Sequence, residues 1–106
     1  MIPEGMPKLY EYLGLDVFFY SNEHQPVHVH GQCQGREGRA ELQIVQGRVV
    51  SIDFMPQPGR PPLKTAEMRL FRALVEAKSD EIVQKWVDYF VLHKSVSTEK
   101  ITKPLP

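Results

Sequence analysis

Residues 16–30 read DVFFYSNEHQPVHVH: an aromatic strand, a polar break, and a second strand that ends in a histidine pair. Successive side chains of a strand point to opposite faces, so Val17 and Phe19 share one side of residues 16–21 and Phe18 and Tyr20 the other. Both sides are apolar. The strand is therefore expected to be covered twice or to lie at a subunit contact, with Phe18 and Tyr20 as interface candidates. Asn22, Glu23, Gln25 and Pro26 make the break. Within it, His24 is expected to supply either a turn-stabilising contact or a ligand. Residues 27–30 then resume as a strand with Val27 and Val29 on one face and His28 and His30 on the other, about 6.5–7 Å apart along the chain.

Downstream, residues 31–38 (GQCQGREG) hold three glycines and are expected to form a loop. Residues 39–45 alternate Ala40, Leu42 and Ile44 against Glu41, Gln43 and Val45, and residues 48–55 alternate in the same way. A two-residue turn at Gln46–Gly47 would set Leu42 opposite Ser51. A three-residue turn or an equivalent bulge sets Leu42 opposite Ile52 and Ile44 opposite Val50, and this is the expected register, because a slip of one residue flips every side chain. It places Glu41 directly opposite Asp53. Residues 56–62 (PQPGRPP) form a stiff connection. Thr65 is the expected cap of a helix over residues 66–78 with Leu70, Phe71, Leu74 and Val75 as its apolar stripe. Ser79 starts a second helix that buries Ile82, Val83, Trp86, Val87 and Phe90. The ordered core is expected over residues 7–94 of a single domain (1–106), between a flexible lead and a polar tail. The fold class is α+β: a mostly antiparallel sheet of three to four strands followed by two helices packed on one face.

Composition narrows the function classes. Thirteen Lys and Arg balance thirteen Asp and Glu, whereas a dedicated nucleic-acid binder carries a basic surplus. Neutrality also favours self-association. The single cysteine, Cys33, forms no intramolecular disulfide and fits a reducing compartment. No apolar run has the 18 or more residues of a membrane span, and no signal peptide is visible, so a cytoplasmic location is expected.

The block Phe18-Phe19-Tyr20-Ser21-Asn22-Glu23-His24, with Pro26 and His28-Val29-His30 after it, resembles the small bacterial proteins of domain-of-unknown-function family 4160. A weaker likeness runs through Asp80-Glu81-Ile82-Val83 and Trp86. The resemblance implies a partner protein rather than a reaction, since members of that family stand in two-gene, toxin–antitoxin-like arrangements. The first expectation is thus a protein–protein interaction module of such a pair, or a homodimer.

The alternative is a histidine- and metal-dependent hydrolase or nuclease in which His28 and His30 are the catalytic candidates, histidine being an acid–base near neutral pH. His24, His28, His30, Glu41 and Asp53 are the candidate ligands of a divalent metal such as zinc, a donor set of imidazoles and carboxylates. Arg60, Lys64, Arg69 and Arg72 are the basic residues that could meet a nucleic-acid phosphate. Cys33 reads as a plain thiol.

Overall fold

A computed structural model describes residues 6–21 and 26–106. Six strands form one mixed sheet: β1 (Lys8–Tyr12), β2 (Leu15–Phe18), β3 (His28–Cys33), β4 (Arg36–Val45), β5 (Arg48–Pro56) and β6 (Glu99–Ile101). Between β5 and β6 come helices α1 (Thr65–Ala77) and α2 (Ser79–Trp86), and α2 runs into one π-helical segment, Val87–Val91. The strand order is β5-β4-β3-β2-β1-β6, antiparallel throughout except that β6 lies parallel to β1.

The α+β class holds, and the strand count does not: six strands replace the expected three to four. The strands β1 and β6 are only weakly marked by periodicity, for identifiable reasons. Residues 8–12 (KLYEY) bury Leu9, Tyr10 and Tyr12, a pattern blurred by the bulge between Lys8 and Tyr10. β6 is only three residues long, sits in the stretch expected to be a polar tail, and gains its stability from pairing with β1. The Leu105 N–H then donates to the Tyr12 hydroxyl at 2.7 Å.

The glycine-rich residues 31–38 are not a loop. Strand β3 runs on to Cys33, and a two-residue turn at Gln34–Gly35 leads directly into β4. Gln34 and Gly35 have φ of +49° and +81°, the pair of left-handed residues that lets a tight hairpin match the strand twist. Leu13–Gly14 and Gln46–Gly47 repeat the same geometry. Gly31 and Gly38 serve another purpose. A Cβ on Gly31 would lie 2.7 Å from Phe71 Cδ1, and one on Gly38 would lie 3.0 Å from Leu63 Cδ1. Bare backbone there lets α1 and its leading loop settle onto the sheet.

The β4–β5 hairpin keeps the expected register through its body: Leu42 faces Ile52, Ala40 faces Phe54, and Glu41 faces Asp53. The turn itself has two residues, and a bulge at Val50 absorbs the slip, so Ile44 pairs with Val49 rather than Val50. Ile44 and Val50, which the expected register sets opposite each other, are both exposed, Val50 by 60%.

One sheet face, carrying Val17, Val29, Ala40, Leu42, Ile52 and Phe54, meets Phe71, Leu74, Val75, Ile82 and Trp86 in a single core. The N-cap of helix α1 is Lys64, whose backbone N–H donates to Glu67 Oε1 at 2.8 Å, and not the expected Thr65, which is the first helical residue. Beyond Trp86 the expected α-helix widens: the Leu92 N–H reaches back five residues to the Val87 carbonyl at 3.0 Å. His93 then ends the segment at φ +55°. Among the described residues, no helix is long and apolar enough to cross a membrane.

Candidate functional site

The side chains that draw attention stand on the sheet face away from α1. Register puts His28, His30 and Gln32 of β3 beside Glu41, Arg39 and Glu37 of β4, and Glu41 in turn beside Asp53 of β5. With β3 beside the β4–β5 hairpin, the two imidazoles and the Glu41 and Asp53 carboxylates share this face. On the other side of β3, Phe18 is the cross-strand partner of His30.

At the centre of this face lies a cluster built on Glu37. The residue is fully buried, as is His30. The Tyr20 hydroxyl donates to the Glu37 carboxylate, 3.1 and 3.0 Å from its two oxygens. His30 Nδ1 is 3.2 Å from Glu37 Oε2, and Arg60 Nε approaches Oε1 at 3.9 Å from the connecting loop. That loop is held there by the Glu37 N–H, which donates to the Pro61 carbonyl at 2.9 Å. Aromatic contacts close the cluster. Tyr20 meets the His30 ring edge-on at 4.4 Å and Phe18 stacks on it at 5.7 Å. The His28 ring lies 5.2 Å from that of His30 and 5.5 Å from that of Trp86. The His28 Nδ1–H donates to the Pro26 carbonyl at 2.6 Å, which assigns the proton to that nitrogen in the neutral ring.

Chemically, a carboxylate against one imidazole nitrogen is the arrangement that orients a histidine for acid–base work. Here both members are enclosed, with Glu37 and His30 each 0% exposed. The Tyr20 hydrogen bonds to the buried Glu37 carboxylate rigidify this sheet face.

The two outer carboxylates are already engaged. Arg39 forms an ion pair with Glu41, and the Gln43 side-chain amide donates to Asp53 at 2.9 Å. Among the described residues, no three His, Cys, Asp or Glu side chains gather as a metal site. His24 lies outside the described residues, as do Asn22, Glu23 and Gln25. Of the interface candidates, Phe18 is fully buried against His30 and Tyr20 because β2 is an interior strand, so it offers no surface. Tyr20 is spent on Glu37.

The basic residues do not act as one patch: Arg60 turns to Glu37, and the Arg72 guanidinium sits 4.3 Å over the Phe54 ring. Lys64 and Arg69 are exposed. Cys33 ends β3, and burial, then the neighbouring Glu67 carboxylate, pushes its thiol pKa up, the reverse of nucleophile activation.

Sequence reasoning missed Glu37 altogether. A signal was present: carrying the alternation of residues 39–45 two positions back, through Gly38, aligns Glu37 with Arg39 and Glu41. A family model described as a domain of unknown function (DUF4160) matches residues 14–87. No curated protein and no solved structure matches the chain.

Proposed function

Because the chain belongs to the domain-of-unknown-function family DUF4160, whose description names no reaction, we propose from the architecture that it is a protein–protein interaction module that docks through the β5 edge of its sheet. The observation that carries this reading is the edge itself. Among the described residues, strand β5 is nine residues long with β4 on one side only, and Ile44, Val45 and Val50 stand exposed at its turn end. An edge strand presents a row of backbone donors and acceptors to an added strand, and neighbouring apolar groups supply the desolvation. The surface is thus moved from the first aromatic strand, whose Phe18 is enclosed, to the far side of the sheet.

A two-gene pair gives the direct experiment. The chain is co-expressed with the product of the adjacent gene and captured as wild type and as Val45→Lys/Val50→Lys. Loss of both capture and self-association in the variant supports the reading. Wild-type protein that neither captures its neighbour nor self-associates at micromolar concentration overturns it.

A histidine-driven hydrolase is the second reading, favoured by the Glu37 carboxylate against His30. It requires His28→Ala and His30→Ala to abolish phosphodiester cleavage while the fold survives. Unchanged cleavage in both variants removes it.

A further inference from the structure

The bulge at Val50 does more than close the hairpin. Residues five apart on a regular strand point to opposite faces. Here Arg48 pairs with Val45, Ser51 with Gln43, and Asp53 with Glu41. Since Val45, Gln43 and Glu41 share a face, so do Arg48 and Asp53. Val49 and Ile52, opposite Ile44 and Leu42, share the other face. The outward edge therefore reads cation, acid on one face and apolar, apolar on the other, about a midpoint between Val50 and Ser51.

We propose that the β5 edge binds a second copy of this chain, strand against antiparallel strand, across a two-fold axis perpendicular to the sheet at that midpoint. The proposal rests on the interaction-module reading and names its partner. In this register Arg48 of each copy meets Asp53 of the other, and Val49 meets Ile52, so two ion pairs and two apolar pairs form at once. A two-fold contact is self-complementary by construction, and a patch carrying both halves of a charge pair at mirrored positions fulfils that condition.

Asp53 also calls for such a cation. It faces the like-charged Glu41, which has Arg39 as its partner, while among the described residues Asp53 receives the neutral Gln43 amide and pairs with no cation. Both Arg48 and Asp53 are exposed. Strand β6, the other edge, has three residues against nine in β5 and is the poorer template. Bulges and charges on an edge protect against promiscuous pairing. These two permit one register and oppose its neighbours, because centring the contact on Asp53 would set two carboxylates together.

The test is charge reversal in the full chain, read by sedimentation equilibrium. Arg48→Asp and Asp53→Arg each put like charges at both contacts of a homodimer. The wild type is expected to be dimeric at micromolar concentration, and each variant alone weaker by about tenfold or more. An equimolar mixture of the two variants restores opposite charges at both contacts and is expected to recover the dimer, as is the double variant Arg48→Asp/Asp53→Arg. Melting curves check that each variant keeps its fold. A wild type that stays monomeric to about 100 µM (a concentration set by the affinity scale), or single variants that dimerise as tightly as wild type, would overturn the proposal. So would a mixture that fails to recover the dimer. If the wild type is monomeric yet captures its neighbour's product in a Val45- and Val50-dependent way, the homodimer fails and the interaction-module reading stands.

Discussion

Two residues show how much this fold asks of individual atoms. The Tyr20 hydroxyl serves both oxygens of the fully buried Glu37. Removing it in Tyr20→Phe keeps the ring against His30 and withdraws a donor from a carboxylate that has no access to water. A buried acceptor left short costs about 1–3 kcal/mol, and in a domain of this size each kcal/mol moves the melting temperature by roughly 4 °C. A fall of about 4–12 °C in a thermal melt is the expected result. An unchanged melt would show that Glu37 is satisfied without Tyr20. Gly31 has the opposite problem, too little room. Its missing Cβ is what lets the Phe71 ring approach, so Gly31→Ala is expected to destabilise by about 1–3 kcal/mol through overpacking. In a Phe71→Leu background the same change should cost less, and a double-mutant cycle of urea midpoints measures the difference.

Among the elements, the junction between the β3–β4 hairpin and the start of α1 has a measurable pH signature. Arg36 Nε donates to Glu67 Oε1 at 2.8 Å, its Nη2 pairs with Oε2, and the Lys64 N–H donates to Oε1. The Arg36 hydrogen bonds first, and the Lys64 backbone second, hold the Glu67 carboxyl at about 2, below its usual 4.5. A depressed carboxylate pKa means that the folded state binds protons less readily than the unfolded chain. This contribution to stability is therefore complete above pH 4.5 and is lost as pH falls from there through about 2. Urea midpoints taken across that window should drop less steeply in Arg36→Gln than in wild type. Parallel slopes for the two proteins would show that the pair does not couple the hairpin to α1.

At the scale of the whole molecule, the chain returns to its own beginning. Strand β6 adds parallel to β1, the Thr98 hydroxyl donates to the Lys8 carbonyl at 2.8 Å, and the Leu105 N–H reaches Tyr12. Helix α2 is tied to the same strand, with the Tyr10 hydroxyl donating to Glu81 Oε1 at 2.7 Å. Burial, then Glu81, pushes the Tyr10 phenol pKa well above its ordinary range, so that bond holds at any physiological pH. Deleting residues 99–106 strips one ladder from β1 and exposes a five-residue edge. The truncated chain is expected to lose on the order of 2 kcal/mol and to self-associate through the new edge. Denaturant midpoints and light scattering measure both. Self-association that still responds to Arg48→Asp would assign it to β5 instead.

Local periodicity sufficed for whatever depends on neighbours a few residues apart. The apolar stripes of α1 and α2, the break between them at Lys78, and the opposition of Leu42 to Ile52 and of Glu41 to Asp53 all follow from alternation and helical spacing. The same alternation set His28 and His30 on one face, and the aromatic and histidine block carried the family likeness. Other features were decided only in three dimensions. Whether residues 31–38 loop or turn depends on Phe71 and Leu63, which sit against Gly31 and Gly38 from distant parts of the chain. That Phe18 is interior follows from β1 and β3 flanking β2, a placement that pairing alone decides. Glu37 became central through Tyr20 and Arg60, contacts with no fixed spacing in the chain. Strand β6 shows the limit most clearly: three polar-flanked residues have no intrinsic reason to be extended, and they become a strand only because β1 offers them a ladder.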